Sequence, residues 1–161
     1  MPAAAVHIDL VFSRPETTLA VTRGAARLLV DLGYAPLLEV GLPNGRRADV
    51  MAIGRRGDIV ICEVKSGIED YRCDLKWREY GPYCDAFYFA TAPEFPHDVL
   101  EGDCGLMVAD GFGAVVLRDA PVVRLNAARR KAVVLRLAIA ASGRLHRLED
   151  PMLTMAVGMA G

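Results

Sequence analysis

Residues 44–65 read NGRRADVMAIGRRGDIVICEVK, and this stretch folds on paper into two strands and a tight turn. Asn44-Gly45 is a hairpin turn signal ahead of the first strand, Arg47 to Ile53. Gly54-Arg55-Arg56-Gly57 makes the next turn, and Asp58 to Lys65 forms the following strand. Side chains alternate between the two faces of a strand. Ile59, Ile61, Glu63 and Lys65 therefore share one face, and Val60, Cys62 and Val64 the other. With the turn centred on Arg55 and Arg56, Asp49 falls within about one residue of facing Glu63. Two carboxylates and one ammonium group converge on a strand pair that is otherwise apolar.

Working outward, Ser13-Arg14-Pro15-Glu16 has the form of a helix start, with Ser13 as N-cap and Glu16 completing a capping box. Val21, Ala25, Leu28, Leu29 and Leu32 follow at helical spacing, and Gly33 suits the C-terminal cap. Tyr34 to Val40 reads as a strand, so three strands form an antiparallel meander after one helix. Beyond Ser66-Gly67, IEDYRCDLKWREYG has helical character and is expected to end at Gly81-Pro82. The run AFYFAT within Tyr83 to Thr91 reads as a buried strand, entered through a helix and so parallel to a neighbour. A helical turn is expected at His97 to Glu101. Cys104 to Leu117 reads as two short strands joined at Asp110-Gly111. A last helix over roughly Leu125 to Ser142 is expected to stop at Gly143. The tail LTMAVGMAG carries no charge and is expected to dock or fray.

The chain has 161 residues, 53% hydrophobic and 24% charged, with a formal net charge of −1. That composition fits one folded domain spanning 1–161, its core about 15–120 and a basic, apolar C-terminal helix at about 125–142. The charge balance gives no general pull toward nucleic acid, so a polyanion surface has to be local. The start MPAAAVHIDL lacks a basic n-region and a long apolar h-region, and the longest apolar run falls short of a membrane span. A soluble, cytoplasmic protein with no membrane partner is expected. Cys62, Cys73, Cys84 and Cys104 form no C-x-x-C pair, which argues against zinc and against a thiol nucleophile. His7, His97 and His146 are isolated, and each reads as a surface or satisfied histidine.

Asp49, thirteen intervening residues, then Glu63-Val64-Lys65 on two adjacent strands resembles the PD-(D/E)xK nuclease-like superfamily. The helix before and the helix-strand pair after match that core. Over Thr22 to Leu145, the segments GRRADVMAI, EVKSGIEDYRCDLKWREY, CDAFYFAT and GLMVADGFGAVVL resemble the bacterial MmcB family of DNA-repair-associated proteins. The resemblance implies an α/β, restriction-endonuclease-like fold: a curved mixed sheet, an antiparallel meander plus a parallel strand, flanked by helices. It also implies DNA as partner, a place in DNA repair and damage-induced mutagenesis, and other repair proteins as possible partners. Where the superfamily usually carries Pro before the first acid, this chain has Ala48.

Phosphodiester hydrolysis needs a hydroxide at neutral pH and compensation of phosphate charge, which a divalent ion supplies. Hard oxygen ligands suit Mg2+ or Mn2+. Asp49 and Glu63 are the expected ligands, with the Val64 carbonyl as a third, and Lys65 would orient water or stabilise the charged transition state. The structural alternative is a buried triad satisfied within itself. Glu39 and Glu16 are candidate accessory acids, although a capping role explains Glu16 equally well. Asp74 and Lys76 lie just beyond the motif. Trp77 reads as a core anchor, and the role of Tyr80 stays open.

From Arg124 to Arg147 the chain has seven basic residues and no acidic one. Arg129, Arg130 and Lys131, with Arg46, Arg47, Arg55 and Arg56 at the hairpin turns, are the expected phosphate contacts. The alternative for AARRKAVVLRLAIAA is an amphipathic helix with a solvated charged edge. Ala132 to Ala141 is so apolar that the helix is either deeply buried or shared with a second subunit in a homodimer.

Overall fold

The computed structural model describes residues 16–73, 76–100 and 102–152. Helix α1 (Glu16–Asp31) buries Val21, Ala25 and Leu29, an i, i+4, i+8 stripe. It closes where Gly33, at φ 87°, donates its N–H to the Val30 carbonyl. Strands β1 (Tyr34–Gly41), β2 (Arg47–Gly54) and β3 (Ile59–Lys65) follow as the expected meander. Strand β4 (Ala86–Thr91) then joins β3 in parallel. β5 (Gly105–Ala109) lies parallel to β4, and β6 (Ala114–Arg118) returns antiparallel to β5. The result is one mixed six-stranded sheet in the order β1-β2-β3-β4-β5-β6, flanked by helices.

The alternation along β3 sorts the core into two layers. Val60, Cys62 and Val64 pack with Val21, Ala25 and Leu29 of α1. Ile59 and Ile61 pack on the opposite side with Trp77, Tyr80, Phe87 and Phe89, under Val133 and Leu137 of α3 (Ala127–Glu149). Burying each such aliphatic side chain contributes about 1.5–3 kcal/mol, so a one-residue slip of β3 would turn both layers inside out.

Three sequence expectations are corrected. The helix expected to run unbroken to Gly81-Pro82 is a short α2 (Ile68–Cys73) and a separate 3-10 helix, Trp77–Tyr83, with Pro82 inside it. Trp77, Tyr80 and Tyr83 are three residues apart, so a 3-10 period brings all three to one side, where all are buried. Helix α3 does not stop at Gly143 but continues to Glu149. A lone glycine costs a helix about 1 kcal/mol, and the following turn is anchored, because Arg144 donates to the carbonyls of Leu38 and Glu39. Deep burial of α3 is also excluded: Val133 and Leu137 are buried, while Leu135 and Ile139 are 52% and 68% exposed. Ser13, His7, Asp74 and the tail from Leu153 lie outside the described residues. Among the described residues, no helix is long and apolar enough to cross a membrane.

Candidate active site at a fork in the sheet

Pairing between β2 and β3 runs from Ile53↔Ile59 to Val50↔Cys62 and ends there. Beyond that point β2 stays with β1, through Val40↔Ala48 and Gly41↔Arg47. β3 stays with β4, through Glu63↔Phe89, Val64↔Ala90 and Lys65↔Thr91. The sheet therefore forks at Asp49 and Glu63. Backbone amides that the ladder no longer serves need other acceptors, and the two carboxylates supply them. Glu63 Oε1 accepts from the Asp49 N–H at 2.9 Å, and Asp49 Oδ2 accepts from the Val64 N–H at 2.9 Å. Each acid holds open the strand that carries the other.

The strand on the outer side of the fork is also distorted. Glu39, between the pairs Leu38↔Val50 and Val40↔Ala48, stands across from Asp49 and adopts φ 53°, a left-handed conformation that costs a residue with a Cβ about 1–2 kcal/mol. Side-chain alternation breaks at this point. Val50 belongs to the α1 layer, whereas Ala48 and Val40 belong to the aromatic layer.

Glu63 and Lys65 are 4% and 3% exposed, while Asp49 is half-buried. Burial, followed by repulsion from Asp49, pushes the Glu63 carboxyl up to about 8, against the Asp49 amide, Lys65 and a hydrogen bond from the Tyr80 hydroxyl. Lys65 Nζ lies 5.9 Å from the centre of the Phe89 ring, a distance that suits a cation–π contact. Tyr80, left open by the sequence, thus bears on Glu63, and its hydroxyl oxygen lies 3.3 Å from the Arg47 carbonyl. Sequence reasoning missed two more neighbours. Thr91, fully buried, is the register partner of Lys65, and its Oγ1 lies 3.0 Å from His97 Nε2. His97 is isolated in sequence, yet the β3–β4 register and its contact with Thr91 bring it one strand from Lys65. Nothing in its local sequence signals that.

The remaining candidates fall at different places. In an extended strand, the N–H and C=O of one residue face the same edge. Val64 donates its N–H to Asp49, and strand geometry turns its carbonyl to the same edge. The Glu39 carboxylate is 3.8 Å from Arg47 and largely buried. Glu16 is exposed at the start of α1 and lines a concavity with Ala92, Glu94 and Asp110, at the C-terminal ends of β4 and β5. Lys76 is exposed in the turn before the 3-10 helix.

The basic residues divide between the two ends of the hairpin. Arg46 pairs with Glu79 at 2.7 Å beside the fork, where Arg47 also lies. Arg55 and Arg56 do not border the acidic site: six residues of strand set them about 20 Å from Asp49. Arg130 is corrected as a free phosphate contact. Its guanidinium grips both Asp85 oxygens at 2.7 and 2.8 Å and donates to Gly57 O. Arg129 lies over the Tyr83 ring at 5.1 Å, and Lys131 is exposed. Burial, then the charge of Asp85, pushes the Cys84 thiol up to about 12, and burial raises Cys62 likewise, so neither is a ready thiolate.

The donors at the fork fit a hard divalent cation: two carboxylates and a carbonyl edge. Their mutual repulsion is what such a charge would relieve. Among the described residues no three His, Cys, Asp or Glu side chains gather at one point. An ion there would rest on two carboxylates, as Mg2+ commonly does, with carbonyl and water oxygens completing its shell.

A family model described as DNA repair protein MmcB-like matches residues 8–152. Among solved structures, the chain is similar to the SPO1766 protein of unknown function from Silicibacter pomeroyi. The two share 36% sequence identity with a TM-score of 0.81, over 85% of this chain and 94% of that one. No curated protein matches.

Proposed function

This chain belongs to the MmcB-like family of DNA repair proteins, and from that premise we propose that it is a divalent-cation-dependent nuclease acting on DNA at the fork between β2 and β3. The observation that carries the reading is the reciprocal lock of Asp49 and Glu63, which holds two acids together where the ladder opens. It agrees with the resemblance of Asp49 and Glu63-Val64-Lys65 to the PD-(D/E)xK pattern. Asp49, Glu63 and the Val64 carbonyl would hold Mg2+ or Mn2+. Held there, such a cation would supply Lewis-acid stabilisation and make water a better nucleophile at neutral pH. Lys65, kept in place by Phe89 and dry surroundings, orients the attacking water and offsets charge on the phosphate. Asp49, the more exposed acid, is the point at which substrate meets the site.

Asp49→Asn and Glu63→Gln keep an acceptor for the backbone amides, so both variants are expected to fold and to lose Mg2+-dependent nicking by at least about 100-fold. Cleavage at the wild-type rate in both would overturn the assignment. One observation favours a second reading, a non-catalytic DNA-binding module that retains this fold: Glu63 and Lys65 are almost sealed from solvent. It predicts DNA binding with no heat of Mg2+ or Mn2+ binding in calorimetry and no nicking of branched, single-stranded or lesion-bearing DNA. The exposed Leu135 and Ile139 support a homodimer through α3. Sedimentation showing only monomer at high concentration would remove it.

A further inference from the structure

A groove of about 850 Å³ lies on the α1 side of the fork, between α1, β1 and the C-terminal part of α3. Its walls carry four arginines, Arg23 and Arg27 from α1 and Arg144 and Arg147 from α3, against two carboxylates, Asp31 and Glu39. Arg27 donates to the carbonyls of Gly111 and Phe112, and Arg144 to those of Leu38 and Glu39. These partners are neutral, so the guanidinium charges are fixed in position without being cancelled. Among the described residues, none of the four arginines forms an ion pair with a carboxylate. Between the walls, Val30 and Leu38 give the groove an apolar floor, 56% and 41% exposed.

At the rim stands Phe112, 85% exposed on the β5–β6 turn. The backbone under it is fixed. Asp110 Oδ1 accepts from the N–H groups of Phe112 and Gly113 at 2.8 and 3.0 Å, and Arg27 holds the Phe112 carbonyl at 3.0 Å. A large apolar ring is thus held out to water, beside four arginines, two of them held in place, that outnumber the groove's two carboxylates.

We infer that this groove binds single-stranded nucleic acid, with phosphates on the arginines and a base stacked on Phe112. Guanidinium groups match phosphate oxygens in pairs, and an aromatic ring beside a cationic track is how single strands are held without regard to sequence. A duplex keeps its base faces inside the stack and offers the ring and the apolar floor nothing to cover. Glu39 lines the groove and stands across from Asp49, about one strand spacing away. The groove thus reaches the outer strand of the fork at Glu39. The inference deepens the DNA-directed reading and rests on it for the choice of DNA as ligand.

The test is fluorescence anisotropy with the full chain in EDTA, which keeps the metal site out of the measurement. The probe is a labelled oligothymidylate of about 15 nucleotides, compared with a duplex of the same length. Binding of the single strand in preference to the duplex is expected. Phe112→Ala should weaken it about 5- to 100-fold, the range for loss of one stacked base. The double variant Arg23→Glu, Arg147→Glu should abolish it; both residues are exposed, and circular dichroism checks the fold. Unchanged affinity in both variants, equal or tighter duplex binding, or no binding by the wild type would each overturn the inference. Displacement by polyglutamate as effective as by unlabelled oligothymidylate would overturn it in favour of an acidic peptide. Groove binding without Mg2+-dependent cleavage would support the inference while overturning the nuclease reading.

Discussion

Glu63 is a carboxyl group placed where water scarcely reaches it. Burial first, and the neighbouring Asp49 second, raise it from an ordinary 4.5 to about 8. Without a cation the folded state therefore binds a proton that the unfolded chain releases at lower pH. The stability this gives is complete below about 4.5 and is lost as pH rises toward 8. In EDTA, the wild-type melting temperature should fall over that window relative to Glu63→Gln, whose side chain stays neutral. Parallel curves for the two proteins would show that Glu63 ionises in the fold as it does in the coil. At this scale the sequence was informative where geometry is local. Period-two alternation put Glu63 and Lys65 on one face and brought Asp49 opposite. It could not assign Tyr80 or find His97, because their bearing on the site depends on a 3-10 helix and on the parallel register of β4, neither of which leaves a local signal.

Asp85, at the entry to β4, ties four elements together. Its carboxylate accepts from the N–H groups of Ile59 and Leu125 and from both arms of Arg130. These bonds join the start of β3, the start of β4, the segment after β6 and the first turns of α3. Burial alone would raise the Asp85 carboxyl, but the bonds from Arg130, Ile59 and Leu125 outweigh it and hold the group down to about 2. The stabilisation, about 2 kcal/mol at neutral pH, is present above the ordinary value of 3.8 and lost as pH falls toward 2. Arg130→Ala leaves that charge buried and unpaired, so chemical denaturation should show a loss of about 3–5 kcal/mol, while Arg129→Ala stays within about 0.5 kcal/mol. Equal losses would mean that the pair does not organise these elements. The acid-free run around Arg130 made it resemble a phosphate contact in sequence, because its partner lies 45 residues back. The helix end was misplaced for a similar reason: Gly143 breaks helical propensity locally, but the turn beyond it is held by β1, an element with no sequence proximity.

For the whole molecule, net charge is nearly zero, at 19 basic against 20 acidic residues, so any affinity for nucleic acid depends on where the charges are gathered. The mixed sheet and its parallel β4 were legible because hydrophobic period, turn residues and the helix crossover agree. The fork was not, since it is an absence of pairing that only the registers of β1 with β2 and β3 with β4 reveal. The fold creates two basic regions that the sequence did not separate. Arg23, Arg27, Arg144 and Arg147 line the groove beside the fork. Arg55, Arg56 and Lys131 lie exposed toward the far end of the hairpin, where α3 begins beside Gly57. Salt dependence distinguishes them. Each phosphate neutralised on a single strand contributes about −0.7 to the slope of log K against log salt, so four groove arginines give a slope of about −3. Arg23→Glu alone should make that slope shallower by about 0.7 or more, whereas Arg55→Ala, Arg56→Ala should leave it unchanged. The opposite pattern would place the nucleic acid at the far end, about 20 Å from Asp49 and Glu63, and a strand bound there would not reach the fork.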